Sequence, residues 1–182
     1  MVAPYPIQKH LVEIMNTRTV ETLAKQSRAA AQQLASTSAK LRNLALTQMA
    51  DALESVKHQV LEINAQDVMN ARQEGQSDAL IKRLTIDDKV FQYMLSRLKK
   101  VAQSPDPLNR VLEGHTNPHG LQVYKKSVPL GVIGMIYESR PNVTTDAAGV
   151  CIKSGNAIIL RGGSEALQTN ILLADAMIAG AV

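Results

Sequence analysis

The residues best suited to chemistry form two short polar runs, Glu138-Ser139-Arg140-Pro141-Asn142 and Arg161-Gly162-Gly163-Ser164-Glu165. The second offers two flexible glycine amides, a hydroxyl and a fixed positive charge just ahead of a helix, a set suited to a phosphate. It is neither a GxGxxG turn nor a P-loop: Gly131-Val-Ile-Gly134 sits inside an apolar run, and Gly162-Gly163-Ser164 is not preceded or followed by the phosphate-binding Lys. The bland alternative is a tight turn that uses glycine for conformation only. The first run carries a guanidinium and an amide, groups that bind and polarise carboxyl or phosphoryl oxygen; its bland alternative is a salt bridge of Arg140 at a sheet edge.

The elements around these runs are compact. Val132 to Tyr137 is a short apolar run without alternation, as expected of a strand covered on both faces of a parallel sheet. Pro141 ends it, Thr144, Thr145 and Asp146 are expected to cap the following helix, and Gly155 is placed to close that helix in a left-handed conformation. Asn156 to Leu160 reads as the next strand, and Glu165 to about Ala179 as an apolar helix. Strand, helix, strand with short connections implies a right-handed crossover between parallel neighbours. Both polar runs then fall at the carboxyl edge of the sheet, where open α/β sheets bind ligands.

Upstream, the sequence is helical. Leu41, Leu44, Ala45, Gln48, Ala52, Leu53, Val56 and Val60 mark one apolar face, and Phe91, Met94, Leu95, Leu98 and Val101 another. Gly75 to Asp78 is expected to separate them, and Thr85 with Asp88 reads as a capping box. Glu113 to Gly120 reads as a long turn and Leu121 to Val128 as an edge strand. His115 and His119 lie four apart in that turn without companions, which argues against a metal site. The expected division is a helical region over 1–119 and the beginning of a nucleotide-binding α/β domain over 120–182.

At Pro129-Leu-Gly-Val-Ile-Gly, Tyr137-Glu-Ser-Arg-Pro-Asn142, Lys153-Ser-Gly-Asn-Ala and Leu160-Arg-Gly-Gly-Ser-Glu-Ala166 the sequence closely resembles the gamma-glutamyl phosphate reductases. These enzymes, also called glutamate-5-semialdehyde dehydrogenases, are the proline-biosynthesis branch of the aldehyde dehydrogenase superfamily. The resemblance covers essentially the whole chain but only the N-terminal part of that family's proteins. It implies an α/β fold: a helical region followed by the first strand-helix-strand-helix units of an aldehyde-dehydrogenase-like, Rossmann-type domain, incomplete here, with the catalytic domain absent.

The resemblance further implies NADPH-dependent reduction of gamma-glutamyl phosphate to glutamate 5-semialdehyde with release of phosphate. A cysteine thiolate displaces phosphate to give a thioester, which hydride then reduces. By the same resemblance Arg161, Gly162, Gly163, Ser164 and Glu165 bind the cofactor, the Arg and Ser favouring NADP(H). Ser139 and Arg140 meet the substrate. Asn142 donates to the oxyanion; an ungapped comparison with ordinary aldehyde dehydrogenases would put Arg140 at that place instead. The single cysteine, Cys151, lies in an apolar helix and reads as core filler, not as the nucleophile. The chain is therefore expected to be an N-terminal piece that is inactive alone. A non-catalytic helical assembly or nucleotide-binding module is the alternative.

Composition sets limits. The 182 residues carry a formal charge of +4, with 45% hydrophobic and 20% charged residues. The basic pairs Lys99-Lys100 and Lys125-Lys126 are scattered and poor in aromatics, against a nucleic-acid partner. No apolar run approaches a membrane span, and the first ten residues hold two prolines and no signal core. One cysteine without a disulfide framework fits a reducing, cytoplasmic setting. A homo-oligomer is expected, because a two-stranded parallel unit is marginal alone and the helix from Glu165 would seek cover from a neighbouring copy.

Overall fold

The structure is a computed structural model and describes residues 19–181. Five helices come first: α1 Val20–Ser36, α2 Ala39–Ser55, α3 Lys57–Gln73, α4 Asp78–Leu84 and α5 Asp88–Gln103. An antiparallel hairpin, β1 Val111–Thr116 and β2 Gln122–Lys126, follows. Strand β3 Val132–Ile136, helix α6 Asn142–Lys153, strand β4 Ala157–Arg161, a 3-10 turn Ser164–Ala166 and helix α7 Leu167–Gly180 complete the chain. Strands β3 and β4 pair in parallel, in register from Val132 with Ala157 to Ile136 with Arg161, so the expected crossover unit is present.

Local chemistry explains the boundaries. Thr19, Ser38 and Ser77 each turn a hydroxyl back onto an amide of the next helix, satisfying a donor the helix cannot. Helix α6 starts at Asn142 after Pro141; the expected caps Thr144 and Thr145 lie inside it and are buried. The cap of α5 is Asp87, whose carboxylate accepts from Val90 N at 2.7 Å. It replaces the expected Thr85–Asp88 box, because Thr85 instead closes α4 with its hydroxyl on Ile81 O. Gly155, at φ +70°, ends α6 as expected.

Two further expectations are corrected. The long apolar stretch after Leu41 is two helices broken at Val56, and α2 buries Arg42, Leu46, Met49, Ala50 and Leu53, leaving Leu41 and Leu44 exposed. That sequence is apolar on more than one side, so the packing of α5 and α7 against α2 decides which side is core. The supposed long turn at Glu113 contains strand β1; only residues 117–121 turn, with Asn117 Oδ1 accepting from His119 N and Leu121 N. Gly114 and His115 had masked a strand that pairs only with its neighbour and stays exposed on both faces.

The core joins Leu46, Leu53, Val60, Phe91, Met94 and Leu98 from the helices with Ala148 of α6 and Leu173 and Met177 of α7. The boundary expected at residue 119 therefore divides the chain by composition, while one core spans both parts. Helix α7 packs within the chain against α2 and α3, with Leu173 fully buried and Leu167 and Ile178 left exposed. Helix α1 packs on β4 and β3, while Ile136 and Leu130 remain exposed.

The Lys153-Ser-Gly-Asn-Ala motif builds the edge of the sheet where the strands begin. Asn156, 5% exposed, accepts from Leu130 N at 2.6 Å and Gly131 N at 2.8 Å, and donates to Ser154 O at 3.1 Å. Lys153 Nζ donates to Asn43 Oδ1 at 2.6 Å, Ala102 O at 2.9 Å and Ser104 O at 2.6 Å. Its ammonium thus ties the carbonyls of Ala102 and Ser104 at the end of α5 to the end of α6, a place where positive charge also complements the helix dipole.

Candidate active site

The parallel register places the two polar runs side by side at the carboxyl edge: Ile136 and Arg161 are paired, and Tyr137 N donates to Arg161 O at 3.1 Å. Beyond that pair the chain turns away through Glu138–Pro141 on one side and Gly162–Gly163 on the other. Ser139 is buried and non-glycine at φ +42°, a conformation L-residues seldom adopt without outside support. The support is Glu165, whose Oε1 accepts from Ser139 N at 2.6 Å. The two runs are therefore one constructed unit.

Beneath this unit, Tyr137 OH and Thr144 Oγ1 lie 2.6 Å apart, and Thr144 donates to Asn170 Oδ1 at 3.1 Å. Burial raises the Tyr137 phenol above its usual value, and the bond to Thr144 partly opposes this. Gly162 packs directly on this group: a Cβ there would lie 2.3 Å from Asn170 Nδ2 and 3.1 Å from the Tyr137 hydroxyl. A side chain at 162 would therefore displace the Asn170 amide or the Tyr137 hydroxyl, a constraint the sequence does not disclose.

The residues expected to act divide into exposed and engaged. Arg140, Arg161 and Ser164 are exposed, and among the described residues neither arginine forms an ion pair. Among the described residues, the sheet-edge salt bridge weighed for Arg140 is not found. Asn142 opens α6 with Nδ2 on Asp146 Oδ2 at 3.3 Å, and Asp146 also lies 3.7 Å from Arg97 Nε. Ser139 presents its backbone to Glu165, and Glu165 spends one carboxylate oxygen on Ser139.

The start of α7 is occupied from within. Asp67 Oδ2 on α3 accepts from Thr169 N at 3.0 Å and Thr169 Oγ1 at 2.7 Å. Sequence reasoning missed Asp67, since 102 residues separate it from Thr169 and a lone Asp on a helix carries no signal. A carboxylate thus already faces the positive end of the α7 dipole. Cys151 is 8% exposed in α6, and burial raises its thiol pKa. It belongs to the packing, as expected, and lies away from the two turns in the helix body.

The sequence model of the aldehyde dehydrogenase family matches residues 5–181. A gamma-glutamyl phosphate reductase of Thermoanaerobacter sp. (strain X514) is 47% identical over 156 residues, covering 86% of this chain and 38% of that protein. Among solved structures, gamma-glutamyl phosphate reductase from Thermotoga maritima superposes with a TM-score of 0.83 at 36% identity, covering 86% of this chain and 38% of that one. The corresponding reductase from Saccharomyces cerevisiae gives 0.86 at 34% identity, over 90% and 42%. The chain thus spans well under half the length of the relatives it matches, corresponding to their N-terminal part. With the family's sequence pattern running along nearly all of it and the matching fold beneath, the chain belongs to the aldehyde dehydrogenase family.

Proposed function

We propose that the protein carrying this chain reduces gamma-glutamyl phosphate to glutamate 5-semialdehyde with NADPH, a step of proline biosynthesis. In balance, the acyl phosphate, NADPH and a proton give the aldehyde, inorganic phosphate and NADP+. The observation that carries this reading is the union of the Ser139–Asn142 turn and the Arg161–Glu165 turn at one sheet edge through the Ser139–Glu165 hydrogen bond. The similarity to reductases at 47% identity supports it.

The cofactor turn fits its ligand. Arg161 is exposed and free of carboxylate partners among the described residues, and Ser164 is exposed beside it. Gly162 and Gly163 keep the turn low enough for a nucleotide to approach. A guanidinium and a hydroxyl favour a ribose phosphate, hence NADP(H) over NAD(H). When bound, the nicotinamide supplies hydride. On the other turn Arg140 clamps the acyl phosphate or the glutamate carboxylate, and Asn142, whose amide has a second hydrogen beyond the one on Asp146, donates to the developing oxyanion. Buried Cys151 has no part; the nucleophile is another cysteine, outside these 182 residues.

The hairpin β1–β2, exposed along both strands with Val111, Leu112 and Tyr124 uncovered, is assigned to contact with a second copy. No helix among the described residues is long and apolar enough to cross a membrane, and a single buried thiol fits a reducing cytoplasm.

The test is phosphate-dependent reduction of NADP+ with glutamate 5-semialdehyde, the reverse reaction, in the protein as its gene encodes it. Turnover that requires phosphate supports the reading. A protein that neither turns over nor binds NADPH would be the non-catalytic assembly module.

A further inference from the structure

Glu165 closes the cofactor turn, yet its carboxylate is hydrogen-bonded to the neighbouring turn. Gly163 makes this geometry available: a Cβ on Gly163 would lie 2.3 Å from both carboxylate oxygens of Glu165. The carboxylate is folded back against the backbone of its own turn, and from there Oε1 reaches Ser139 N at 2.6 Å. Ser139 is 3% exposed and held at φ +42°. A charge-assisted bond to its amide is the contact across the turns that steadies this strained conformation. Arg140 follows Ser139 directly, and Asn142 opens α6 two residues later, so the conformation at Ser139 fixes the departure of both.

We infer that Glu165 is a positioning residue: its carboxylate fixes the Ser139 turn and so sets where Arg140 and Asn142 stand relative to a cofactor held at Arg161–Ser164. This rests on the proposed function for its meaning, but the contact itself does not. Glu165 acts through Ser139 and makes no contact with substrate. Gly163 belongs to the same device, since any side chain there would displace the carboxylate.

Two readouts separate positioning from cofactor contact. The first is hydrogen exchange of the Ser139 amide by NMR in this chain. Glu165→Ala and Gly163→Ala should speed it at least about tenfold, whereas Glu165→Gln, which keeps an acceptor oxygen, should leave it near the wild-type rate. The second is steady-state kinetics of the protein as its gene encodes it. Glu165→Ala should lower kcat by about ten- to a hundredfold, the scale expected for slightly misplaced reacting groups, while KM for NADPH stays within about threefold. Glu165→Gln should recover most of kcat. An unchanged Ser139 exchange rate in Glu165→Ala, or a raised KM for NADPH with kcat intact, overturns the inference. A wild-type protein without reductase activity would sink the functional reading, whereas an active protein indifferent to Glu165→Ala would sink the positioning role alone.

Discussion

Asp67 and Thr169, on helices α3 and α7, are joined by two hydrogen bonds to one carboxylate oxygen, at 3.0 Å from the Thr169 amide and 2.7 Å from its hydroxyl. Asn64, one turn earlier on α3, accepts from Ile86 N at 2.6 Å and donates to Leu84 O at 3.0 Å. Together the pair pins the start of α7, and so the cofactor turn before it, to the helical part of the molecule. Asp67 and Thr169 are both buried, so removing the carboxylate strands a donor where water does not reach.

Asp67→Ala is accordingly expected to destabilise the fold by about 3 kcal/mol, two hydrogen bonds to a charged group. For a chain of this size the loss corresponds to roughly 6 to 12 °C in Tm. Asp67→Asn, which keeps an acceptor, should cost about half as much. Thermal melts of the two variants beside wild type check this; equal and negligible losses would mean that the bond contributes nothing net.

Lys153 links the stability of the fold to pH. Burial, the largest cause, lowers its pKa; Asp106 opposes this and Arg42 adds to it. A base with a depressed folded-state pKa binds fewer protons folded than unfolded as pH rises toward the ordinary lysine value of about 10.4, so its contribution to stability grows across that window and falls away on acidification through the lowered value. Lys153→Met lacks this contribution and strands the carbonyls of Ala102 and Ser104. At neutral pH it should be less stable by about 2 to 3 kcal/mol, and the gap to wild type should widen toward alkaline pH in denaturant titrations. A gap that narrows would contradict the assignment.

Cys151 should behave as packing. Its raised thiol pKa, caused by burial, leaves less thiolate at neutral pH than an exposed cysteine has, and the thiol is largely covered. A disulfide reagent should label it only at the rate at which the native protein opens, and at once in denaturant. Cys151→Ala should cost no more than about 1.5 kcal/mol and should leave reductase turnover in place. Fast labelling of the native protein, or loss of turnover with an intact fold, would return Cys151 to the list of reacting groups.

The parallel unit was legible because its information is local: β-branched runs at Val132–Ile136 and Ala157–Arg161, with Pro141 and Gly155 punctuating them. The α5 face from Phe91 to Leu98 was legible for the same reason, being apolar on one side only. Leu41 and Leu44 misled because α2 is apolar on more than one side and only its tertiary partners choose among them. Strand β1 was hidden by Gly114 and by the turn residues Asn117, Pro118 and Gly120 that follow it, and it becomes a strand through pairing with Gln122–Lys126. At the site, sequence located both turns but not their bond. Nothing local tells Glu165 to reach Ser139, Asp67 to reach Thr169, or Lys153 to reach Asn43 across 110 residues.

If the Arg161–Ser164 turn receives the phosphate that distinguishes NADPH from NADH, calorimetric titration of the protein with each nucleotide will read it. Wild type should bind NADPH at least about tenfold more tightly than NADH, a difference of about 1.4 kcal/mol. Arg161→Met should lose most of that preference while its affinity for NADH stays nearly unchanged. Equal affinity for the two nucleotides in wild type, or a preference that survives Arg161→Met, would mean that this turn does not read the phosphate.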